Sequence, residues 1–361
     1  MSKTAQRRIC QRQRNLGSLP SDPEDLNEIE TAFTKTFDGR NFLIANQPTK
    51  TGRILIFASN ENLKRLCRSE VWIMDGTFSS SPQAFRQIFT IHGSLGSGTN
   101  KFVPFIHMLL PAKTEKTYKK AFGLLKDSCK RQGTELTPSL ILTDFEKAEI
   151  NAVRHAFPSA KQQGCFFHLV KNWWKKIQKL GLAGKYAKSV QVKQTFFQAQ
   201  ALSFLEPQEV SEGLAKIREY APEPMTPFLD YVERVYISGK NNDTSSRTAS
   251  PRFPPEFWSV RRSTLNNNPR TSNSMEGFHN KFNNLLKGGS NLKFYSVLKT
   301  FQEEEQSTTA LYLDHLQGNS STRRNKATEA KDSKLKTIIT SREDFEMFDY
   351  IQALALTLQK L

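Results

Sequence analysis

Residues 71–111 read VWIMDGTFSSSPQAFRQIFTIHGSLGSGTNKFVPFIHMLLP, and this stretch decides the fold. VWIMD (71–75), FRQIFTIHG (85–93) and FVPFIHMLLP (102–111) are rich in β-branched and aromatic residues and predict three strands. Ser, Gly and Pro fill the short gaps, so the strands follow one another as an antiparallel meander. Downstream the period changes. TEKTYKKAFGLLKDSCKRQ (114–132) has helical spacing, with Thr114 placed as its N-cap. SLILTD (139–144) predicts a strand, FEKAEINAVRHAF (145–157) a helix and QQGCFFHL (162–169) another strand.

The resulting order is β-β-β-α-β-α-β. A three-strand antiparallel start with later strands added in parallel is the ribonuclease H-like mixed sheet, of α/β class; other mixed α/β arrangements share the order. Residues 1–69 read as an N-terminal leader with short helices (23–38 and 60–69) and one strand, RILIFA (53–58). Residues 70–169 are the first part of the core. An all-helical insertion and a loop occupy 170–274, and 275–316 return as final core helices. Residues 317–361 read as a linker and a C-terminal helix, the polar run GNSSTRRNKATEAKDSK (318–334) predicting mobility.

The 361 residues carry 52 Lys and Arg against 35 Asp and Glu, a net charge of +17 that favours a polyanionic partner. No apolar run reaches the roughly 18 residues of a membrane span. The polar, basic start MSKTAQRRICQRQRN does not read as a secretory signal. Cys10, Cys67, Cys129 and Cys165 are too few and too scattered for a disulfide framework, which suits a reducing compartment. Charge is unevenly spread: between Glu149 and Glu206 there is no acidic residue, while basic residues run from Arg154 to Lys193. Within that segment Lys171, Lys175, Lys176 and Lys179 suit a DNA backbone, and Trp173 and Trp174 suit stacking on a base. Core packing competes with stacking for both tryptophans, because helical aromatics are usually buried.

Two acids end strands: Asp75 in WIMDGTF and Asp144 in LILTDFE. Alone, each is an ordinary turn residue. In a ribonuclease H-like sheet the two strands are neighbours, and their C-terminal ends bring both carboxylates within reach of a divalent ion. Cys165 and His168 form C-x-x-H, half of a zinc site with no second pair at ligand spacing, so a structural or supporting role suits both. Glu276 and His279 form E-x-x-H on a helix, where di-iron sites need two such motifs. Glu276 by itself is a first-turn acid favoured by the helix dipole.

DGTF (75–78), TDFE (143–146), C-x-x-H (165–168) and N-x-x-E-G-x-H (273–279) occur in an order and spacing that resemble the Mutator-like element transposases of the DDE superfamily. The resemblance covers residues 50–300. It implies a catalytic triad of Asp75, Asp144 and Glu276 holding Mg²⁺, with Mn²⁺ as a substitute. It further implies hydrolysis at transposon ends, strand transfer into target DNA, a homo-oligomer that pairs two ends, and a nuclear location. Cys165, His168 and His279 would support the triad or contact phosphate. Relatives commonly carry an N-terminal zinc-binding module, which a leader with Cys10 alone does not build. A domesticated DNA-binding or regulatory derivative without cleavage is therefore the alternative. A ribonuclease H-like nuclease acting on RNA or hybrid duplexes is a third reading.

Overall fold

The computed structural model describes residues 19–23, 25–77, 81–96, 101–239, 250–272, 275, 277–278, 280, 282, 293–318 and 326–359. Two strands precede the meander. β1 (Leu43–Thr49) and β2 (Gly52–Phe57) form an antiparallel hairpin whose turn needs the positive φ of Gly52. β1 falls inside the region read as leader, and its sequence, LIANQPT, lacks the apolar alternation that marks a strand. Pairing to β2 creates it. The helix expected over 23–38 is one short turn at Thr31–Phe33.

Helix α1 (Asn60–Arg68), capped by the Ser59 side chain, leads into the predicted meander: β3 (Val71–Thr77), β4 (Gln87–Ser94) and β5 (Phe102–Leu110). Thr114 caps α2 (Glu115–Lys130) by accepting from the Thr117 amide. β6 (Leu140–Thr143), α3 (Lys147–Ala156) and β7 (Lys161–Gly164) follow. The last strand is shorter than read. It stops at Gly164, and Phe166 already opens α4 (Phe166–Lys179), because Leu169, Trp173 and Ile177 recur at helical spacing and bury together.

The seven strands make one mixed sheet in the order β1-β2-β5-β4-β3-β6-β7. β3, β4 and β5 are antiparallel; β6 adds parallel to β3, and β7 parallel to β6. Trp72 and Met74 of β3 face α1, α2 and α3, against Leu63, Phe122 and Val153. The opposite face takes Met275, Phe278 and Phe282, spaced along one side of a helix, and α11 (Phe294–Leu316), whose Phe301 lies on Phe57. The fold is thus α/β, with helices on both faces of a mixed sheet.

The insertion builds a second core. Between α4 and α11 lie α5 (Ala183–Lys188), α6 (Val190–Ala201), α7 (Val210–Tyr220), α8 (Thr226–Val232), α9 (Pro255–Trp258) and α10 (Arg261–Leu265). Two C-terminal helices, α12 (Lys326–Thr340) and α13 (Met347–Gln359), complete it with Leu335, Ile339, Tyr350 and Ile351. The polar run read as a linker is therefore helical from Lys326. Its apolar anchors come after the run, at 335–339, and Arg261 ties it down by donating to the Ile339 carbonyl and the Tyr350 hydroxyl. No described helix is long and apolar enough to cross a membrane.

Candidate active site

β3 and β6 pair in parallel from Val71↔Leu140 to Ile73↔Leu142. Asp75 and Asp144 each lie four residues beyond the first of these pairs (75 − 71 and 144 − 140), so they reach the same level at the C-terminal edge of neighbouring strands. Side chains alternate along a strand, which puts both acids on the face of Ile73 and Leu142. Met275 packs on that same face, in one cluster with Ile73, Leu140 and Leu142. Glu276 and His279 lie outside the described residues.

Asp75 is still inside the ladder, opposite Thr90, and only 9% exposed. Asp144 is past the end of β6, with its side chain 38% exposed. Each turns one oxygen back on the chain: Oδ1 of Asp75 accepts the Gly76 amide at 2.8 Å, and Oδ1 of Asp144 the Phe145 amide at 2.5 Å. The glycine after Asp75 has a steric reason, since a methyl group there would run into Oε1 of Gln87. Among the described residues, no three Asp, Glu, His or Cys side chains converge closely enough to hold a metal ion. The donors present at the edge are hard carboxylate oxygens, the kind that Mg²⁺ takes.

The C-x-x-H pair joins this edge from β7. Nδ1 of His168 stands 3.7 Å from Oδ1 of Asp144, an ion-pair separation rather than a hydrogen bond. Burial opposes a charge on His168, but its hydrogen bond to Cys165 and the nearby Asp144 and Asp75 outweigh burial and raise it to about 9. These neighbours favour the imidazolium form of His168. Cys165 is buried and works as a clasp: the Ser272 amide donates to its Sγ at 3.2 Å, and the Ser272 hydroxyl lies 3.2 Å from the same sulfur. The Phe166 amide also donates to the Arg270 carbonyl at 2.9 Å. One turn of chain thus presents His168 to the acids and fixes 270–272, just ahead of Met275.

Sequence reasoning missed Glu149. It sits in the first turn of α3 and is 3% exposed, and its Oε1 has no hydrogen-bond partner. Burial, with Asp75, Asp144 and Glu146 adding negative charge and Lys113 only partly offsetting it, pushes its carboxyl well above the ordinary range. A supporting chain lies beside it. Lys113 pairs with Glu146, Tyr118 donates to Oε1 of Glu146 at 2.9 Å, and Gln87 donates to the Tyr118 hydroxyl at 2.8 Å. A signal existed: positions 149, 152, 153 and 156 form one helical stripe, and Glu149 is the acid on an otherwise apolar face.

The residues singled out on α4 divide by face. Lys171, Lys175 and Lys179 are exposed at four-residue spacing, one stripe along the helix. Lys176 is half-buried over the Tyr231 ring. Trp173 is fully buried, edge-on to Tyr236, Trp258 and Phe228, so a base cannot reach it. Trp174 is partly buried against Tyr186 and Phe196.

The fold is an α/β domain built on a mixed sheet with two acids level at its edge. Residues 71–172, which span both aspartates and the C-x-x-H pair, match the family model of the MULE transposase domain. The match makes this segment similar to a MULE transposase domain and supports a transposase-related protein. No curated protein matches the chain significantly.

Proposed function

We propose that this protein is the catalytic core of a DDE-type DNA transposase, cutting and joining DNA at transposon ends on a ribonuclease H-like sheet. The observation that carries the reading is the level placement of Asp75 and Asp144 on adjacent parallel strands, under the face that Met275 covers, within the matched domain. The sheet order β5-β4-β3-β6-β7, three antiparallel strands then two parallel ones, supports the ribonuclease H-like assignment.

Asp75, Asp144 and Glu276 would hold Mg²⁺, or Mn²⁺ in its place. An ion held there would supply Lewis-acid chemistry for phosphodiester hydrolysis and transfer. The protein's own groups do the rest. The amides of Gly76 and Phe145 each fix one oxygen of the aspartate that precedes them. His168 brings a positive charge to a cluster of carboxylates and offers a donor to a phosphate oxygen beside Asp144. The stripe Lys171, Lys175, Lys179 starts one turn beyond His168 and leads away from the acids, a track for a DNA backbone. Pairing of two transposon ends calls for a homo-oligomer, and a DNA substrate for a nuclear location.

The test is Mg²⁺-dependent cleavage and joining of DNA carrying the element's terminal repeats, with Asp75→Asn, Asp144→Asn and Glu276→Gln compared in turn. Each substitution should abolish both steps without loss of DNA binding. Cleavage by the Asp144→Asn protein at the wild-type rate overturns the assignment.

A further inference from the structure

At the end of the sheet away from the acids lies a cavity of about 560 Å³, a size that takes a small ligand. Val71, which opens β3, is on its wall, about 13 Å along the strand from Asp75. Leu95 and Phe102, both buried, continue the apolar side. Arg65 and Arg68 reach the cavity from the last turn of α1. Arg65 is held in place: its Nη1 donates to Oδ1 of Asn62 at 2.7 Å and to the Thr309 hydroxyl at 3.0 Å. Its guanidinium carbon stands 4.2 Å from the centre of the Tyr312 ring, which lines the same cavity. Among the described residues no carboxylate pairs with either arginine. Glu61 and Glu305, the acids whose charge Arg65 feels, pair with Arg40 instead. Across the cavity, Asn266, Asn267 and Asn268 form a turn in which Asn267 takes a φ of 56°. Backbone bonds close that turn, from the Asn266 amide to the Arg262 carbonyl at 3.0 Å and from the Asn268 amide to the Ser263 carbonyl at 2.9 Å, so the side-chain amides are not spent on it.

We propose that this cavity binds a nucleoside 5′-monophosphate unit, with its phosphate on Arg65 and Arg68 and its base between the apolar wall and the asparagine turn. A guanidinium matches phosphate oxygens with two parallel N–H groups, and two of them without carboxylate partners make a ready anion seat. Burial disfavours the charge on Arg65 more than its neighbours support it, and a bound anion would offset that cost. Phosphate alone would leave the rest of the lining unused. Asparagine amides carry both a donor and an acceptor, the pattern a base edge presents, and Val71, Leu95 and Phe102 offer apolar surface to its ring. Glu70 is the one acid on the lining among the described residues. Two arginines against one acid leave a modest positive charge, which suits a monophosphate better than a triphosphate. A free nucleotide and the phosphorylated 5′ end of a DNA strand present the same groups. The cavity shares no residue with the acid edge, and its ligand does not depend on the chemistry proposed there.

The experiment uses the full chain with EDTA present, so that the acids hold no metal. Calorimetric titration with dAMP should show one site, and deoxyadenosine or inorganic phosphate should each bind far more weakly. Arg68→Ala should weaken dAMP by roughly tenfold, the loss of one charged hydrogen-bonding partner. Arg68 is exposed, so this variant keeps its fold. Photolabelling with 8-azido-dAMP, mapped by mass spectrometry, should mark Tyr312 or residues 266–269. Competition against that label separates the two sources. Displacement by 5′-phosphorylated oligodeoxyadenylate but not by its unphosphorylated form identifies the strand end, and displacement by neither identifies the free nucleotide. Equal displacement by both would overturn the proposal. So would inorganic phosphate binding as tightly as dAMP, an unchanged affinity in Arg68→Ala, or a label on the lysine stripe of α4. A protein that cuts DNA but binds no dAMP refutes the cavity alone, and one that binds dAMP but does not cut refutes the edge alone.

Discussion

The edge of the sheet and the helical insertion touch at Phe166–His168, yet they handle charge in opposite ways. At the edge, Asp75 and Asp144 lie level on neighbouring strands and act electrostatically on Glu149, which lies in the interior with its Oε1 unpartnered. A little further along α4, the lysines face water while Trp173 and Ile177 enter a core of interlocking aromatic rings. The insertion follows the ordinary rules of burial, and the edge breaks them. Grouped carboxylates raise the energy of the folded chain, which is what the proposed metal-dependent chemistry at this edge would call for.

Asp144→Asn tests this contrast most sharply. It should cut DNA cleavage by on the order of 10³-fold or more, since on the proposed reading it removes a metal ligand, while thermal stability holds or rises because one like charge is gone. Trp173→Ala should do the reverse. Removing a fully buried indole should cost about 3–5 kcal/mol of stability, read as a lower melting temperature and urea midpoint. If Asp144→Asn instead unfolds the protein and Trp173→Ala leaves it intact, the contrast is broken. Replacing Lys171, Lys175 and Lys179 together by Ala should leave melting unchanged and flatten the salt dependence of DNA binding. The slope of log K against log salt should fall by roughly 2 to 3 units for three lost phosphate contacts. An unchanged slope would take the stripe out of the interface.

The two regions were also unequally legible. Strands of the meander could be read because their β-branched runs are bounded by Gly, Ser and Pro, and Asp75 and Asp144 stand out as acids closing apolar strands. The start of α4 reads as strand, since GCFFHL is as apolar as one and only the later Leu169, Trp173 and Ile177 reveal the helical period. β1 was invisible because its order comes from pairing with β2 and not from its own composition. Residues 326–334 look like a linker because the anchors Leu335, Ile338 and Ile339 follow them. Glu149 and the clasp between Cys165 and Ser272 depend on segments far apart in sequence, and no local pattern announces which acid will be enclosed or which loop a thiol will hold.

Glu149→Gln is the smallest and most discriminating change. In the folded chain burial and the neighbouring acids penalise charge on the Glu149 carboxyl and hold it well above its ordinary range. In the unfolded chain it ionises above its ordinary value of about 4.3. Folding therefore takes up protons above the unfolded value. The sign follows: below the unfolded value both states are protonated and the group adds no pH dependence, and as pH rises above it native stability falls. Glutamine fills the same space and carries no such penalty. With metal chelated, the melting temperature of the variant relative to wild type should climb steadily from pH 4 to pH 8, by a few degrees in all. A difference that is flat with pH would mean that Glu149 ionises freely where it sits, and the edge would then be no more strained than the insertion beside it.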